Sequence, residues 1–386
     1  MPHLILLDGT IGAVAVAASR KGVMFNRFIV STALLPLCIS ALWVLTPAQA
    51  RSEPPRRIKV GVIVGLTGTA SPNGIAVRNG VTLADVESDR GDLVEFIVED
   101  DNFQPKNAVS AAQKLISEDK VSALITFSGS TSLAVSTITE GRGIPHLAIT
   151  PLTNVSAGKR FVRTLFVPNR TAITLLQEAI KEPAASKVAI ITSTQDALLQ
   201  IREQIRSSVG TRVVFDEEIR PGDVELLSTV TRLLASKPDV VVNLTLPPQI
   251  SLVARILRDR HFAGKHVGAP PMYNFSEIKA AAGSLTGAYV TGPQIPADLR
   301  FMGDYSTRFN ESVLPEAIFG YDAASWIIKA AQESGGLSSL LSADSHSGIA
   351  GEYRRSSENQ FEVPGELKVI TAGGDIRAAV RVSFSF

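Results

Sequence analysis

A chain of 386 residues is too long for one compact hydrophobic core, so two domains of ordinary size are expected. Apolar residues make up 45% and charged residues 19%, which is a globular balance. A formal charge of +1 with no large block of one sign excludes the basic face of a nucleic-acid protein and gives no reason to expect an anionic membrane surface as partner.

The residues up to Ala50 read as targeting, not as fold. From Met24 the chain runs Met-Phe-Asn-Arg into an apolar stretch from Phe28 to Leu45, then ends Thr46-Pro47-Ala48-Gln49-Ala50. A positive residue, an apolar run and an Ala-x-Ala end have the form of a secretory signal peptide, with cleavage after Ala50 and a periplasmic mature protein. Met24 is read as the true start, because the residues before it carry Asp8 and no signal character. An uncleaved anchor is the other reading, since the run reaches roughly the minimum length for a spanning helix. Cys38 is the single cysteine, and Leu37 before it is the wrong neighbour for a lipid anchor. Cleavage would leave no disulfide, no thiol nucleophile and no cysteine-ligated metal.

Along the mature chain, strand and helix periods alternate. Ile58 to Val64 is a β-branched run suited to a strand buried on both faces. A Gly/Ser/Thr/Pro loop to Gly74 leads into a helix ending near Ser88. Leu93 to Val98 and Val121 to Thr126 are further strands. Between them, Pro105 opens a helix on which Ala108, Ala111, Ala112, Leu115 and Ile116 form one apolar face. A helix and the strand His146 to Ile149 complete the first series. Lys187 to Thr192, Arg212 to Phe215 and Val240 to Leu244 read as strands of a second. Its helices run over Leu198 to Ile205, Val224 to Leu234 and Ile250 to Arg260. Phe301 to Glu333 reads as mostly helical and Phe361 to Phe386 as strand-like. Strict alternation implies α/β architecture: two doubly wound lobes with parallel central sheets. Ligands in such sheets sit at the carboxyl ends of strands. Three hydroxyl-rich loops lie there, Leu66 to Gly74, Phe127 to Ser132 and Pro151 to Ser156, all in the first lobe.

The chain resembles the branched-chain amino-acid-type (leucine/isoleucine/valine-binding-like) substrate-binding proteins of ABC transporters, of type I periplasmic binding fold. The resemblance rests on Lys59-Val60-Gly61-Val62-Ile63-Val64-Gly65-Leu66-Thr67-Gly68, Val98-Glu99-Asp100-Asp101 and Ala111-Ala112-Gln113-Lys114-Leu115-Ile116. It continues through Gly143-Ile144-Pro145, Gly287-Ala288-Tyr289-Val290-Thr291 and Gly320-Tyr321-Asp322-Ala323. It implies three crossings between lobes, near Val167, Gly292 and Ala350. Lobe 1 would then be 56–166 plus 293–349, and lobe 2 would be 167–292 plus 350–386. It further implies a monomer that closes by a hinge motion on a carboxylate-bearing small molecule and meets the permease subunits of a transporter.

By the same resemblance, Ser128-Gly129-Ser130 and Leu152-Thr153-Asn154 hold the ligand carboxylate, to which charge-assisted hydrogen bonds suit such groups. Helix capping competes for these residue types and is preferred for Thr131 and Ser132. Asn73 stands where the family has an aromatic residue of the first loop. Tyr321 keeps the family's aromatic in register, and a second-lobe aromatic falls on Ala197. The acid expected to meet an ammonium falls on Pro270. A small organic acid, aromatic acids included, is therefore expected in place of an α-amino acid, with Leu152, Phe127, Met272 and Tyr273 as a candidate apolar wall. Glu277 is the acid that could restore amino-acid binding.

No cofactor or metal is expected. Glu99-Asp100-Asp101 is a consecutive triplet whose side chains diverge, so a solvated strand end is preferred to a cation site. No phosphate-loop, dinucleotide or nucleophile-elbow motif occurs, and the five histidines are scattered. A non-enzymatic binding protein is the leading reading. A ligand-sensing receptor module of the same fold and a secreted α/β enzyme are the alternatives.

Overall fold

The computed structural model describes residues 57–381 apart from 69, 89–92, 167–168, 182–186, 294–298 and 357–358. The signal-peptide reading of 1–50, with Met24 and Cys38, lies outside the described residues. Strands β1 (Ile58–Val64), β2 (Val94–Asp100), β3 (Ala123–Phe127), β4 (His146–Ile149) and β5 (Val162–Phe166) are interleaved with helices α1 (Ser71–Glu87), α2 (Pro105–Ser117) and α3 (Gly129–Arg142). Helix α4 (Asn169–Ile180) opens the second series. It continues with β6 (Val188–Ser193), α5 (Asp196–Val209), β7 (Val213–Ile219), α6 (Leu227–Ala235), β8 (Val240–Leu244), α7 (Gln249–Asp259), β9 (Lys265–Gly268), α8 (Phe275–Ala280) and β10 (Tyr289–Pro293). Helices α9 (Leu299–Phe309), α10 (Pro315–Gln332) and α11 (Ser339–Ser342) follow. The chain then forms β11 (Ser345–Gly348), β12 (Gly351–Arg355), β13 (Gln360–Glu362), β14 (Gly365–Ile370) and β15 (Ile376–Arg381).

These strands form two sheets. One has eight strands in the order β11-β12-β13-β5-β4-β3-β1-β2, the other seven in the order β15-β14-β10-β9-β8-β6-β7. The interior pairings are parallel, and antiparallel strands are added at one edge of each sheet, β12 and β11 in the first, β14 and β15 in the second. The two-lobed α/β expectation holds, with mixed rather than purely parallel sheets. In β1 the alternation serves two helix layers. Val60, Val62 and Val64 enter the core on one face, while Ile63 enters that on the other.

One expectation is corrected. Residues 351–362, assigned above to the second lobe, pair within the first sheet, and the chain joins the second sheet only at β14. Asp322 of α10 is the reason. Its Oδ1 accepts the N–H of Ile349 at 2.6 Å, and its Oδ2 accepts the N–H of Ala350 at 2.9 Å and the hydroxyl of Tyr353 at 2.7 Å. Trp326 of the same helix stacks on His346 at 4.6 Å, and Tyr353 and Phe361 are fully buried in the first core. The β11–β12 hairpin is thus fastened to lobe 1 from beneath. No helix among the described residues is long and apolar enough to cross a membrane.

Candidate ligand-binding cleft

In the first sheet β2, β1, β3 and β4 run parallel, so Asp100, Val64, Phe127 and Ile149 end on one edge. Asp100 organises the loop after β1. Its Oδ1 accepts the N–H groups of Leu66 and Asn102, each at 2.8 Å, and its Oδ2 accepts the Thr67 hydroxyl at 2.7 Å. Burial alone would raise its carboxyl, but these bonds outweigh it and hold the group below the usual range. Glu99 pairs instead with Lys114. Asp101 is fully buried, accepts the Phe103 N–H at 2.8 Å, and is pushed up to about 6 chiefly by burial. The three acids diverge. Among the described residues no three potential ligands converge as a metal site.

Ser128 links β3 to α3 at φ 85 and ψ 158, a backbone conformation that side-chain-bearing residues rarely adopt. Its N–H donates to the Ile149 carbonyl at 3.2 Å, and its hydroxyl lies 3.1 Å from that of Thr131. No side chain caps α3. Thr131 and Ser132, expected as caps, turn inward. Thr131 donates to the Phe127 carbonyl at 2.8 Å, and Ser132 lies 2.7 Å from the Thr126 hydroxyl. That network continues to His146, whose Nε2 is 2.7 Å from Thr126 Oγ1 and whose Nδ1 is 3.2 Å from Thr139 Oγ1. His146 is therefore a satisfied core residue. The helix start at Gly129-Ser130 keeps N–H groups that its own ladder does not use, at the positive end of its dipole. Gly129 is buried and Ser130 exposed. A Cβ on Gly129 would come within 2.4 Å of Leu152 Cδ1.

Leu152 is buried among Ala148, Val155 and Val162, and Ala197 of lobe 2 packs on that cluster. Thr153 opens a single 3-10 turn, Thr153–Val155. Asn154 is exposed, and its carbonyl accepts Lys159 Nζ at 3.2 Å. Asn73 lies in the first turn of α1, where its Nδ2 donates to Glu316 Oε1 at 2.9 Å. Glu316 did not emerge from the sequence, because the two residues lie 243 positions apart and only the pairing of α1 with α10 joins them. Tyr321 is corrected. Its hydroxyl donates to Glu87 Oε2 at 2.7 Å, at the last residue of α1, and its ring meets Phe301 edge-on. That is the end of α1 away from the loops just described.

Residues 57–346 match the Periplasmic binding protein family. The chain belongs to this family. The Leu/Ile/Val-binding protein BraC3 of Rhizobium johnstonii is 26% identical over 219 residues, 52% of this chain and 58% of that protein. The structure of the branched-chain amino acid transporter substrate-binding protein LivJ from Streptococcus pneumoniae, in complex with isoleucine, superposes with a TM-score of 0.77 at 18% identity, covering 85% of this chain and 99% of that one. An ABC transporter solute-binding protein from R. palustris in complex with benzoate gives a TM-score of 0.73 at 21% identity, covering 84% and 96%. At such identities the structural likeness shows the fold.

In the second lobe of this periplasmic binding protein, the hydroxyls of Thr192 and Thr291, near the ends of β6 and β10, are buried without a hydrogen-bond partner among the described residues, while other polar groups at strand ends are engaged. Ser193 is bonded to Gln249 and to the Leu246 N–H, and Thr245 donates to Asn243 at 2.6 Å. Pro270 opens a 3-10 turn, Pro270–Met272, and is half-buried. Met272 belongs to the lobe's own core. Tyr273 is also buried, with the Lys368 ammonium 5.4 Å from its ring centre and Lys368 itself paired with buried Glu366. Burial, then the Glu366 charge, pushes the Tyr273 hydroxyl up to about 12. Glu277 is buried and accepts the Ser251 N–H at 2.8 Å, which ties it to α7. Phe275, half-exposed, packs on the cores of both lobes. The lobes therefore meet at Leu152–Ala197 and at Phe275.

Proposed function

We propose that this chain is the solute-binding component of an ATP-driven importer, closing on a small carboxylate and delivering it unchanged to a membrane permease. The observation that carries the reading is the start of α3. It follows β3 without a capping side chain, behind a strained Ser128 and beside exposed Ser130, at the strand-end edge of lobe 1. Free N–H groups at a helix N-terminus are a ready anion site. A carboxylate is the group common to the branched-chain amino acids named for BraC3 and to the benzoate held by the R. palustris neighbour. Ser128, Gly129, Ser130 and Asn154 are assigned to it. The family's fold serves binding in those relatives, and a monomer processed after Ala50 in the periplasm completes the reading.

A thermal-shift screen of small carboxylic acids tests this. A true ligand stabilises the folded state by about 2.7 kcal/mol at a hundredfold excess over its Kd and is recovered chemically intact. Conversion of the ligand on incubation would overturn the non-enzymatic reading.

A further inference from the structure

The resemblance puts Pro270 where an amino-acid site would have its acid, and Glu277 is committed to Ser251. Lobe 1 carries an acid, Glu316, in the first turn of α10. Helices α1 and α10 lie side by side in the same direction. A Cβ on Gly80 would fall 1.9 Å from the Ala317 carbonyl oxygen, and one on Gly320 2.3 Å from that of Val77. Asn73 meets Glu316 at the start of both helices, and Glu87 meets Tyr321 further along. Both N-termini thus sit where β1 feeds α1, at the ligand edge of the sheet.

We propose that Glu316, held by Asn73, receives a hydrogen-bond donor of the ligand, so that the bound molecule is a carboxylic acid carrying a hydroxyl or an ammonium group. The inference rests on the carboxylate-binding reading above. An acid in the first turn of a helix is favourable to that helix by itself, and this is the plain alternative. Two features speak for more. Asn73 engages one oxygen of the carboxylate from one side. Glu316 also keeps part of its surface open, yet the density of groups around it makes burial push its carboxyl upward, and among the described residues no cation offsets that crowding. A carboxylate that served only the helix dipole would be better placed in water. Glu316 already accepts from Asn73 and from its own N–H, but a carboxylate can take further donors, and one more offsets the burial that disfavours its charge.

The test is calorimetric titration of the processed two-lobed protein with two matched sets of probes. One set is benzoate with 3- and 4-hydroxybenzoate. The other is 4-methylpentanoate with 2-hydroxy-4-methylpentanoate and leucine. In whichever set binds, a donor-bearing member should bind about tenfold or more tighter than its unsubstituted parent, the scale of a hydrogen bond to a charged group. Glu316→Leu should erase that preference and leave the parent acid within about threefold of its original Kd. Glu316→Gln keeps an accepting oxygen without the charge, so it should spare a hydroxyl preference and remove an ammonium preference. Melting curves establish that both variants fold. If acids bind but Glu316→Leu leaves their ranking untouched, the inference fails and the carboxylate reading stands. If no acid in either set binds, both fail together.

Discussion

Asp322 shows how one side chain can decide where a segment belongs. It receives two backbone N–H groups and the Tyr353 hydroxyl, and it holds the β11–β12 turn on lobe 1. Burial first of all raises its carboxyl to about 6, against the pull of those three donors. At neutral pH the group is still an acceptor at both oxygens. Asp322→Asn would place an amide donor against a donor. We expect a loss of about 1.5–3 kcal/mol, the worth of hydrogen bonds to a charged group. Urea unfolding should show a lowered midpoint at unchanged slope, and an unmoved midpoint would refute the clamp.

At the scale of elements, α1 and α10 pack closely enough that glycine is required at the crossing. A methyl on Gly320 would meet backbone atoms of Val77, which cannot move aside as a side-chain tip can. Gly320→Ala should therefore cost about 1–3 kcal/mol through overpacking. It should also weaken ligand binding, since separating the helices pulls Asn73 from Glu316. Gly141 of α3 is exposed, with nothing within 4 Å of its would-be Cβ. Gly141→Ala should stabilise by about 0.5–1 kcal/mol through helix propensity alone. Thermal melts of the pair should move in opposite directions, and a shared direction would contradict the packing argument.

The pH response belongs to the whole molecule. Burial lowers His146 to about 3 and His266 and His346 each to about 4, from an ordinary 6.5. Each is neutral in the folded state and takes up a proton on unfolding. Their stabilisation is complete above pH 6.5 and is lost as the pH falls towards 4 and below. Asp101 and Asp322, raised from 3.8 to about 6, act in the opposite sense, favouring the fold at low pH and losing that contribution as pH rises through 6. Asp85 and Glu316 are raised by burial as well, so the three histidines spread over both lobes oppose four acids confined to the first, and Asp100, held low, adds to the loss at acid pH. The melting temperature should fall as pH drops from 6.5 towards 4, and His146→Gln should flatten that slope even if it lowers stability at pH 7. Melts across this range that show no acid destabilisation would sink the account.

The sequence by itself determined the alternation of elements, the two lobes and the three first-lobe loops, because β-branched runs and helical spacing are local patterns. β1, β4 and β8 were legible to the residue for that reason. Strand β5 was not, since Arg163 is its second residue. Only the fold supplies that buried guanidinium with the carbonyls of Arg160, Val162 and Leu341. The β11–β12 hairpin turns on apolar Ile349-Ala350 between Gly348 and Gly351, and the lobe it joins is set by Asp322 from another element. In the cleft, Ser128, Gly129 and Ser130 were legible as a small-residue link between a strand and a helix. Which face Tyr321 takes, and that Glu316 meets Asn73, depended on the register of α10 against α1. No local period encodes that register. It is decided where two distant helices settle, glycine against carbonyl, and only the folded core sets that contact.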